Sequence, residues 1–250
     1  MSYNIEAGNH DLARIAEAIQ AVAPDVVGLQ EVDVHWSERS TFADQAALLS
    51  QRLGMQATFA RIYGDSGGIG AQPPREFGVA LLSRYPVRSW KNDSLTRLST
   101  QEQTSVPARM PGLLEAMIDV RGRLIRVFDT HLDYRTDPAV RRQQVAEMVA
   151  YLNESSAPTV LLGDMNATPD AVELQPLLQR MADAWPPTAG HGFTYPSDAP
   201  VKRIDDVFIS RHFGVRSAFV PATRASDHRP VVVDLVLVPC VEPPSDCILR

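Results

Sequence analysis

Short apolar segments that run into polar residues constrain the fold of this chain more than any other feature. Four polar segments, at residues 30–31, 130–133, 163–166 and 226–228, stand where predicted strands end or begin. Carboxylates and imidazoles are costly to bury unless they are paired. Because ligand sites in open sheets gather at strand ends, we expect these scattered segments to converge on one site.

The spacing of apolar residues predicts a mixed α/β fold. Leu12, Ile15 and Ile19 share one face of a predicted helix, and an apolar run typical of a buried strand follows it. The predicted helices are residues 11–23, 42–53, 137–152 and 170–182, and the predicted strands are residues 25–31, 77–83, 113–120, 124–130, 158–163, 203–210, 215–220 and 230–238. This order predicts a sandwich of two sheets covered by helices.

Neither a repeat nor an internal linker divides the chain, so we predict one domain over residues 1–238 and a tail over residues 239–250. Residues 2–5 already have the pattern of a strand end, so the first strand is expected to be truncated. The predicted loops are residues 55–76, 90–111 and 186–201. Loops on a rigid scaffold commonly select the substrate, and we expect the same here.

The charge of the chain bears on its partners. The formal charge is −6 and Lys and Arg form no cluster, whereas tight binding along a nucleic-acid backbone needs many cations. Arg135, Arg141 and Arg142 lie near one polar segment, so a nucleic-acid substrate stays possible but is not favoured. No apolar run reaches the roughly 20 residues of a membrane helix, so no transmembrane segment is expected.

Both cysteines, Cys240 and Cys247, lie close to the end of the chain in a proline-rich stretch. They fit either a small disulfide loop in an exported protein or two free thiols on a tail, and the sequence leaves both alternatives open. The cysteine pair and the truncated front favour a periplasmic or extracellular protein over a cytoplasmic one.

The polar segments contain the side chains that phosphoester cleavage requires. Carboxylate and amide oxygens suit a hard cation such as Mg²⁺ or Mn²⁺, and Glu31 is the best candidate ligand. His228, with Asp205 holding its ring, is predicted to accept a proton from attacking water. Asp164 is predicted to orient that water, and Asn166 is predicted to donate hydrogen bonds to the phosphate.

Each polar segment also has a purely structural interpretation. His131 is predicted to donate to a non-bridging phosphate oxygen, but a histidine at a strand end is also compatible with the core. Segment 163–166 has the pattern of a turn whose side chains bond their own backbone. Segment 226–228 fits a loop with a capping role, and Glu31 fits a surface charge. The coincidence of all four segments favours the functional interpretation.

Two other function classes compete with a phosphoester hydrolase. Segment 64–68 copies the nucleophile motif of trypsin-like serine hydrolases around Ser66, but only His10 and His35 precede it, and neither is next to a cysteine. A catalytically silent binding scaffold is the stronger rival, because folds can outlive their chemistry. Against the scaffold, every polar residue of the predicted mechanism is present.

In their order along the chain, the polar segments resemble those of the endonuclease/exonuclease/phosphatase superfamily, which has a DNase I-like fold. The matching segments are residues 3–5, 29–31, 81–86, 130–132, 163–166, 203–205 and 226–228. One such segment is a weak signal, but the ordered set is specific. The resemblance implies a four-layered α/β/β/α sandwich of two mixed sheets and Mg²⁺- or Mn²⁺-dependent attack of water on a phosphoester.

The resemblance also implies a role for each residue. The implied site consists of Asn4, Glu31 and Asp227 near the metal, His131, Asp164 and Asn166 near the nucleophile and phosphate, and the pair Asp205 and His228. Glu76 looks similar to a carboxylate that steadies the first histidine in some members. Arg109 is expected to be an exposed structural residue rather than a phosphate ligand.

Asp206 departs from the pattern of the family, which usually has an aromatic residue at this position. Neighbouring residues of a strand face opposite ways, so only one of Asp205 and Asp206 can face His228. We predict that it is Asp205.

The residues common to the family do not identify the substrate. The acidic charge favours a small or lipid-linked phosphoester as the substrate. The alternative function is that of an endo- or exonuclease on DNA or RNA. The protein is expected to be a monomer.

Overall fold

The computed structural model of the chain describes residues 1–8, 11–64, 73–102 and 106–238. Ser66, Cys240 and Cys247 lie outside the described residues. The serine-hydrolase and disulfide hypotheses depend on these residues and stay predictions. Within the described part, no helix has both the length and the apolar character that crossing a membrane requires.

Strands and helices alternate along the described chain. The strands are β1 (Ser2–Asn4), β2 (Val26–Val34), β3 (Gln56–Gly64), β4 (Glu76–Ser83), β5 (Val87–Arg97), β6 (Ala108–Val120), β7 (Arg123–His131), β8 (Thr159–Asp164), β9 (Ala182–Asp183), β10 (Asp205–Ile209), β11 (Phe213–Phe219) and β12 (Val232–Leu237). The α-helices are α1 (Leu12–Val22), α2 (Gln45–Leu53), α3 (Ala139–Leu152) and α4 (Gln175–Arg180).

The first two helices begin at aspartate caps. Asp11 accepts a hydrogen bond from Ala13 N at 2.8 Å, and Asp44 accepts one from Ala47 N at 2.9 Å. Each cap satisfies a backbone N–H group that has no partner within the helix. Gly54, with a φ of 64°, ends α2 in the left-handed conformation that glycine adopts without strain.

The strands form two large sheets and a hairpin. The first sheet has the order β1-β2-β4-β3, the second has the order β5-β6-β7-β8-β10-β9, and β11 pairs with β12. Reciprocal backbone hydrogen bonds between Ser2 and Val231, of 2.9 and 3.0 Å, join the segment before β12 to β1. This connection brings the segment that contains His228 to the edge of the first sheet.

Three clusters of buried apolar side chains lie between the layers. The first packs α1 and α2 against the first sheet and includes Leu49. The second fills the space between the two sheets with residues such as Leu81 and Leu162. The third joins the second sheet to α3 and α4 and includes Met148 and Phe208. The predicted four-layered α/β/β/α sandwich is therefore confirmed.

Two of the predicted loops contain strands, so that part of the sequence prediction is wrong. β3 lies within the predicted loop 55–76, and β5 overlaps the predicted loop 90–111. Both are edge strands. Edge strands tolerate polar and charged residues, such as Lys91 in β5, and so lack a clear apolar pattern. The helix predicted over residues 170–182 is also shorter, because α4 covers only its centre.

Candidate active site

The second sheet places three of the predicted residues side by side. β7 runs parallel to β8 with His131 opposite Asp164, and β10 runs antiparallel to β8 with Asp205 opposite Asp164. Each of the three residues is the terminal residue of its strand. The backbone register alone therefore brings one imidazole and two carboxylates to the same edge of the sheet.

The first sheet contributes Asn4 and Glu31 from the facing layer. Asn4 ends β1 opposite Gln30 of β2. The pairing of β2 with β4 shifts between Leu29 and Val32, and within this bulge Glu31 has a φ of 56°. A bulge re-aims a side chain, and a left-handed conformation outside glycine stores strain that is typical of functional sites.

Asn4 joins the two sheets at the centre of the site. Its Nδ2 donates to Glu31 Oε1 at 3.1 Å and to Asp164 Oδ2 at 3.0 Å. Its Oδ1 accepts from the backbone N of Glu6 at 3.0 Å, which fixes the orientation of the buried amide. Two carboxylates from different sheets are thus held by one amide group.

The two carboxylate oxygens of Asp164 have different surroundings. Oδ1 accepts from Asn166 N at 2.8 Å, which is the turn expected of this segment. Oδ2 lies 3.5 Å from His131 Nε2 and 3.8 Å from His228 Nε2. The turn predicted for this segment therefore accounts for Oδ1 of Asp164, while Oδ2 faces His131 and His228.

His228 and Asp205 form a buried pair. Asp205 Oδ2 lies 2.8 Å from His228 Nδ1. Asp206, the next residue of β10, points away and lies 3.4 Å from Arg203 Nε. The other ring nitrogen, His228 Nε2, has Asp164 and the half-exposed Asp227 as its nearest carboxylates, with Asp227 Oδ1 at 4.0 Å.

The carboxylates around His228 determine its protonation. Burial alone would lower the pKa of His228, but the negative charges nearby, chiefly those of Asp205 and Asp164, outweigh burial and raise the pKa to about 10. The carboxylates therefore stabilise the protonated form of the imidazole. Any group that neutralises these carboxylates would lower the pKa of His228 towards its ordinary value.

The carboxyl group of Asp227 also lies in a strongly negative environment. Burial, together with the negative charges of Glu6 and Glu31, raises the pKa of Asp227 to about 6, although the charge of His228 opposes this shift. The site thus contains more carboxylates than it can easily keep ionised. A cation bound among them would relieve the mutual repulsion.

Two groups of side chains offer ligands for a cation. Glu31 and Asp227 are only partly buried, and the neutral donors Asn4 and Ser226 hydrogen-bond to them. In the second group, formed by Asp164, Asp205 and His228, the possible ligand atoms lie within 4.8 Å of one another. Asp205 and His228 already satisfy each other, so the first group, with its hard oxygen donors, fits a divalent cation better.

The site includes two residues that the sequence analysis does not single out. Glu6 Oε2 accepts from Asp227 N at 3.2 Å, and the ring of Tyr195 lies 4.7 Å from the ring of His228. Tyr195 falls within the loop 186–201, where we expect substrate selection. The one feature of the sequence that could have placed Glu6 in the site is its position two residues after Asn4.

Glu76 does not occupy its expected position. It begins β4 opposite Val34 and Gly64, and its Oε1 lies 3.8 Å from Arg61 Nη1. Within the part of the chain that the structure describes, Glu76 makes no contact with His131. The expectation that it steadies this histidine is therefore wrong, because its place in the register puts it beyond the site.

The arginines close to the polar segments are engaged elsewhere. Arg109 Nη1 lies 2.8 Å from Glu147 Oε1, which confirms the structural role expected of this arginine. Arg135 forms an ion pair with Asp133. Arg141 Nη2 lies 2.9 Å from Glu173 Oε1. Arg135 and Arg141 thus already have carboxylate partners.

Comparison with known proteins supports the same fold over nearly the whole chain. The uncharacterized protein YbhP of Escherichia coli K12 is 25% identical over 238 residues, covering 90% of this chain and 88% of YbhP. An endonuclease/exonuclease/phosphatase from Beutenbergia cavernae matches with a TM-score of 0.71 and 24% identity, over 94% of this chain and 70% of that chain. A mannosyl-6-phosphatase from Bacteroides thetaiotaomicron matches with a TM-score of 0.67 and 18% identity, over 94% and 98%.

The family assignment rests on a match of the chain as a whole. The model of the Endonuclease/Exonuclease/phosphatase family matches residues 1–228. This range contains every predicted site residue, from Asn4 to His228. Members of the family are generally hydrolases that act on phosphoesters. The resemblance predicted from the sequence is confirmed, and the chain belongs to the endonuclease/exonuclease/phosphatase family.

Proposed function

We propose that this protein is a divalent-metal-dependent phosphoester hydrolase in which Asp205 and His228 together activate water. The observation that carries the proposal is the 2.8 Å contact between Asp205 Oδ2 and His228 Nδ1. A carboxylate at one ring nitrogen fixes the tautomer and orientation of a catalytic histidine. His228 Nε2, which is 3.8 Å from Asp164 Oδ2, is then the atom that accepts a proton.

We assign the cation to Glu31, Asn4 and Asp227, with Mg²⁺ or Mn²⁺ as the expected ions. The carboxylates of Glu31 and Asp227 offer hard oxygen donors, which both ions prefer, and Asn4 holds Glu31 in place through its Nδ2. The repulsion that contributes to the pKa of about 6 for Asp227 supports this position. When bound, the cation supplies polarisation of a phosphoryl oxygen and neutralisation of charge on the leaving group.

The remaining residues of the site orient the reactants. Asp164 Oδ2 faces both histidines and is suited to hold the attacking water. Asn166 Nδ2 donates to Leu132 O at 3.1 Å, and its second amide hydrogen is left for a phosphate oxygen. His131 donates to a non-bridging oxygen, where the charge of the transition state develops.

We propose a small or lipid-linked phosphoester as the substrate, in preference to DNA or RNA. A nucleic-acid backbone is bound mainly through unpaired Lys and Arg side chains. Near the site, Arg135 is paired with Asp133, and Arg97 donates to three backbone carbonyl groups. The mannosyl-6-phosphatase has the same fold, so a phosphomonoester substrate is compatible with this architecture.

The test is an assay with Mg²⁺, Mn²⁺ or EDTA against a phosphomonoester, a phosphodiester, plasmid DNA and sphingomyelin. We expect hydrolysis only with metal, and we expect His228→Ala and Asp164→Ala each to lower the rate by at least about 10². His212 provides a matched control, because it follows β10 at the end opposite Asp205, and His212→Ala removes an imidazole outside the site. Circular dichroism checks that each variant is folded.

Three outcomes would contradict the proposal. A wild-type rate in His228→Ala would rule out the mechanism. Preference for plasmid DNA would overturn the proposed substrate class and favour a nuclease. Absence of metal-dependent hydrolysis of all four substrates would favour the catalytically silent scaffold.

A further inference from the structure

A cavity of about 180 Å³ opens directly beside the candidate site. Glu31 and His131 form one part of its wall, and Tyr63 and Phe77 form another. His131 Nε2 also lies 3.5 Å from Asp164 Oδ2, so one imidazole ring borders both the carboxylates and the cavity. A phosphate held at Glu31 and His131 would therefore have its organic substituent next to this cavity.

Half of the residues that line the cavity are aromatic or aliphatic. The rings of Tyr63 and Phe77 stack with centroids 6.0 Å apart and planes inclined by 19°. Ile62 and Leu132 add aliphatic surface, and Tyr134, which is 63% exposed, lies on the same wall. Aromatic and aliphatic walls favour contact with the carbon-rich face of a ring over contact with an ionised group.

No unpaired cation lines this cavity among the described residues. Arg97 is the one Lys or Arg of the wall. Its Nη1 donates to His131 O at 2.7 Å, its Nη2 to Gly112 O at 2.9 Å, and its Nε to Pro111 O at 3.1 Å. Asp133, also on the wall, already forms an ion pair with Arg135. A second anionic group on the substrate would lose its hydration here without gaining a free cationic partner.

A buried amide also lies in the wall of the cavity. Gln144 is fully buried there, and its Oε1 accepts from Asp133 N at 2.9 Å. Its Nε2 is enclosed and has no acceptor among the described residues. A buried amide donor without a partner is costly, so a shift of this side chain that brings it to a substrate hydroxyl oxygen would be favourable. The volume of about 180 Å³ leaves room for a small organic group.

We propose that this cavity binds the organic group esterified to the phosphate and selects an uncharged alcohol of about one ring, such as a sugar or a phenol. The proposal rests on the proposed function, because it names the group attached to the hydrolysed phosphate. It assigns specificity to Tyr63, Phe77, Tyr134 and Gln144, none of which reacts with the phosphate.

The test compares kcat/KM for methyl phosphate, phenyl phosphate, glucose 6-phosphate and glucose 1,6-bisphosphate across variants. Thr100 is exposed on the same wall, so Thr100→Trp fills the cavity from its surface without disturbing the core. Tyr134→Ala instead removes an aromatic face. Trp90→Ala is the matched control, since Trp90 is a 50% exposed aromatic residue outside this wall.

In the wild type, we expect phenyl phosphate and glucose 6-phosphate to be preferred to the bisphosphate. Thr100→Trp should lower the ratio of kcat/KM for ring esters to that for methyl phosphate by at least about tenfold, mainly through KM. Tyr134→Ala should lower the same ratio by a smaller factor, and Trp90→Ala should leave it unchanged. Comparing ratios between variants cancels the different intrinsic reactivities of the leaving groups.

The outcomes separate this proposal from the one on which it rests. Unchanged ratios in Thr100→Trp and Tyr134→Ala, or preference for the bisphosphate, would overturn the subsite and leave a metal-dependent hydrolase. Cleavage of sphingomyelin or plasmid DNA without hydrolysis of the four esters would also overturn the subsite alone. Absence of hydrolysis of every substrate would refute the proposed function itself.

Discussion

The two faces of strand β10 carry neighbouring aspartates in different surroundings. Asp205 and Asp206 are both fully buried, and burial raises the pKa of each. Asp205 Oδ2 meets His228 Nδ1 at 2.8 Å. Asp206 Oδ1 lies 3.4 Å from Arg203 Nε, and neither of its carboxylate oxygens has a hydrogen-bond partner among the described residues.

The contrast between these aspartates shows that burial alone does not identify a catalytic carboxylate. Both side chains have a raised pKa, which is a common sign of a functional site. What separates them is the partner, because only Asp205 contacts an imidazole, whose raised pKa a cation at the site would lower towards neutral pH. Asp206 faces a permanently charged guanidinium, which can compensate charge but cannot take part in proton transfer at these pH values.

The largest expected effect tests this contrast directly through activity. Asp205→Asn keeps the size of the side chain but removes its charge, so the ring of His228 loses its orienting carboxylate. We expect kcat with Mg²⁺ to fall by about 10² to 10⁴. Asp206→Asn is the matched control on the opposite face of β10, and its kcat should stay within about threefold of the wild type.

Steady-state kinetics of the two folded variants provide the measurement. Equal losses in both variants would mean that the buried charge of the strand end, and not the pairing with His228, controls the activity. A large loss confined to Asp206→Asn would reverse the assignment of the two aspartates.

Part of this arrangement follows from the sequence alone. The alternation of helices and strands predicts two sheets covered by helices, because apolar segments of both kinds need cover on their inner faces, and the family resemblance implies the four layers. The period of two in a strand also predicts that Asp205 and Asp206 face opposite ways. The edge strands β3 and β5 are not predicted, because partly exposed strands hold polar residues and lose the apolar pattern.

The rest of the site depends on contacts between distant residues. Glu6 meets Asp227 across 221 positions of sequence, and no local pattern indicates that contact. The left-handed conformation of Glu31 arises from a bulge between two strands and has no glycine to signal it. Tyr195 lies on the ring of His228 although its own segment is predicted only as a loop.

The second expected effect concerns the stability of the face that carries Asp206. Arg203 is 8% exposed and pairs with Asp183 as well as lying close to Asp206. Arg203→Gln leaves the carboxylate of Asp183 without its ion-pair partner, so we expect the free energy of unfolding at pH 7 to fall by about 3 kcal/mol. Urea denaturation measures the change.

Arg224→Gln is a suitable control for this measurement, because Arg224 is exposed and such surface changes usually stay within about 0.5 kcal/mol. Because Arg203 lies on the face of β10 away from His228, the folded fraction of Arg203→Gln should keep a normal kcat. A strong loss of kcat in fully folded protein would show that the two faces of the strand are coupled.

The third expected effect is the pH dependence of stability that Asp206 causes. Because the pKa of Asp206 is raised in the folded state, the folded protein holds this proton at pH values where the unfolded chain, with a pKa of about 3.9, has released it. The contribution to stability is therefore fully present below about pH 3.9 and is lost as the pH rises towards the folded pKa. The slope for one proton is at most about 1.4 kcal/mol per pH unit.

Asp206→Asn should remove this slope, because asparagine does not titrate. In urea denaturation with EDTA from pH 5 to pH 8, the free energy of unfolding of the variant minus that of the wild type should grow more positive as the pH rises. Asp129 and Asp205 also have a raised pKa and add similar slopes, but these are common to both proteins and cancel in the difference. If the free energies of unfolding of the two proteins change with pH in parallel, Asp206 is ionised in the folded protein and is held by Arg203. The two faces of β10 would then differ in their partners but not in their protonation.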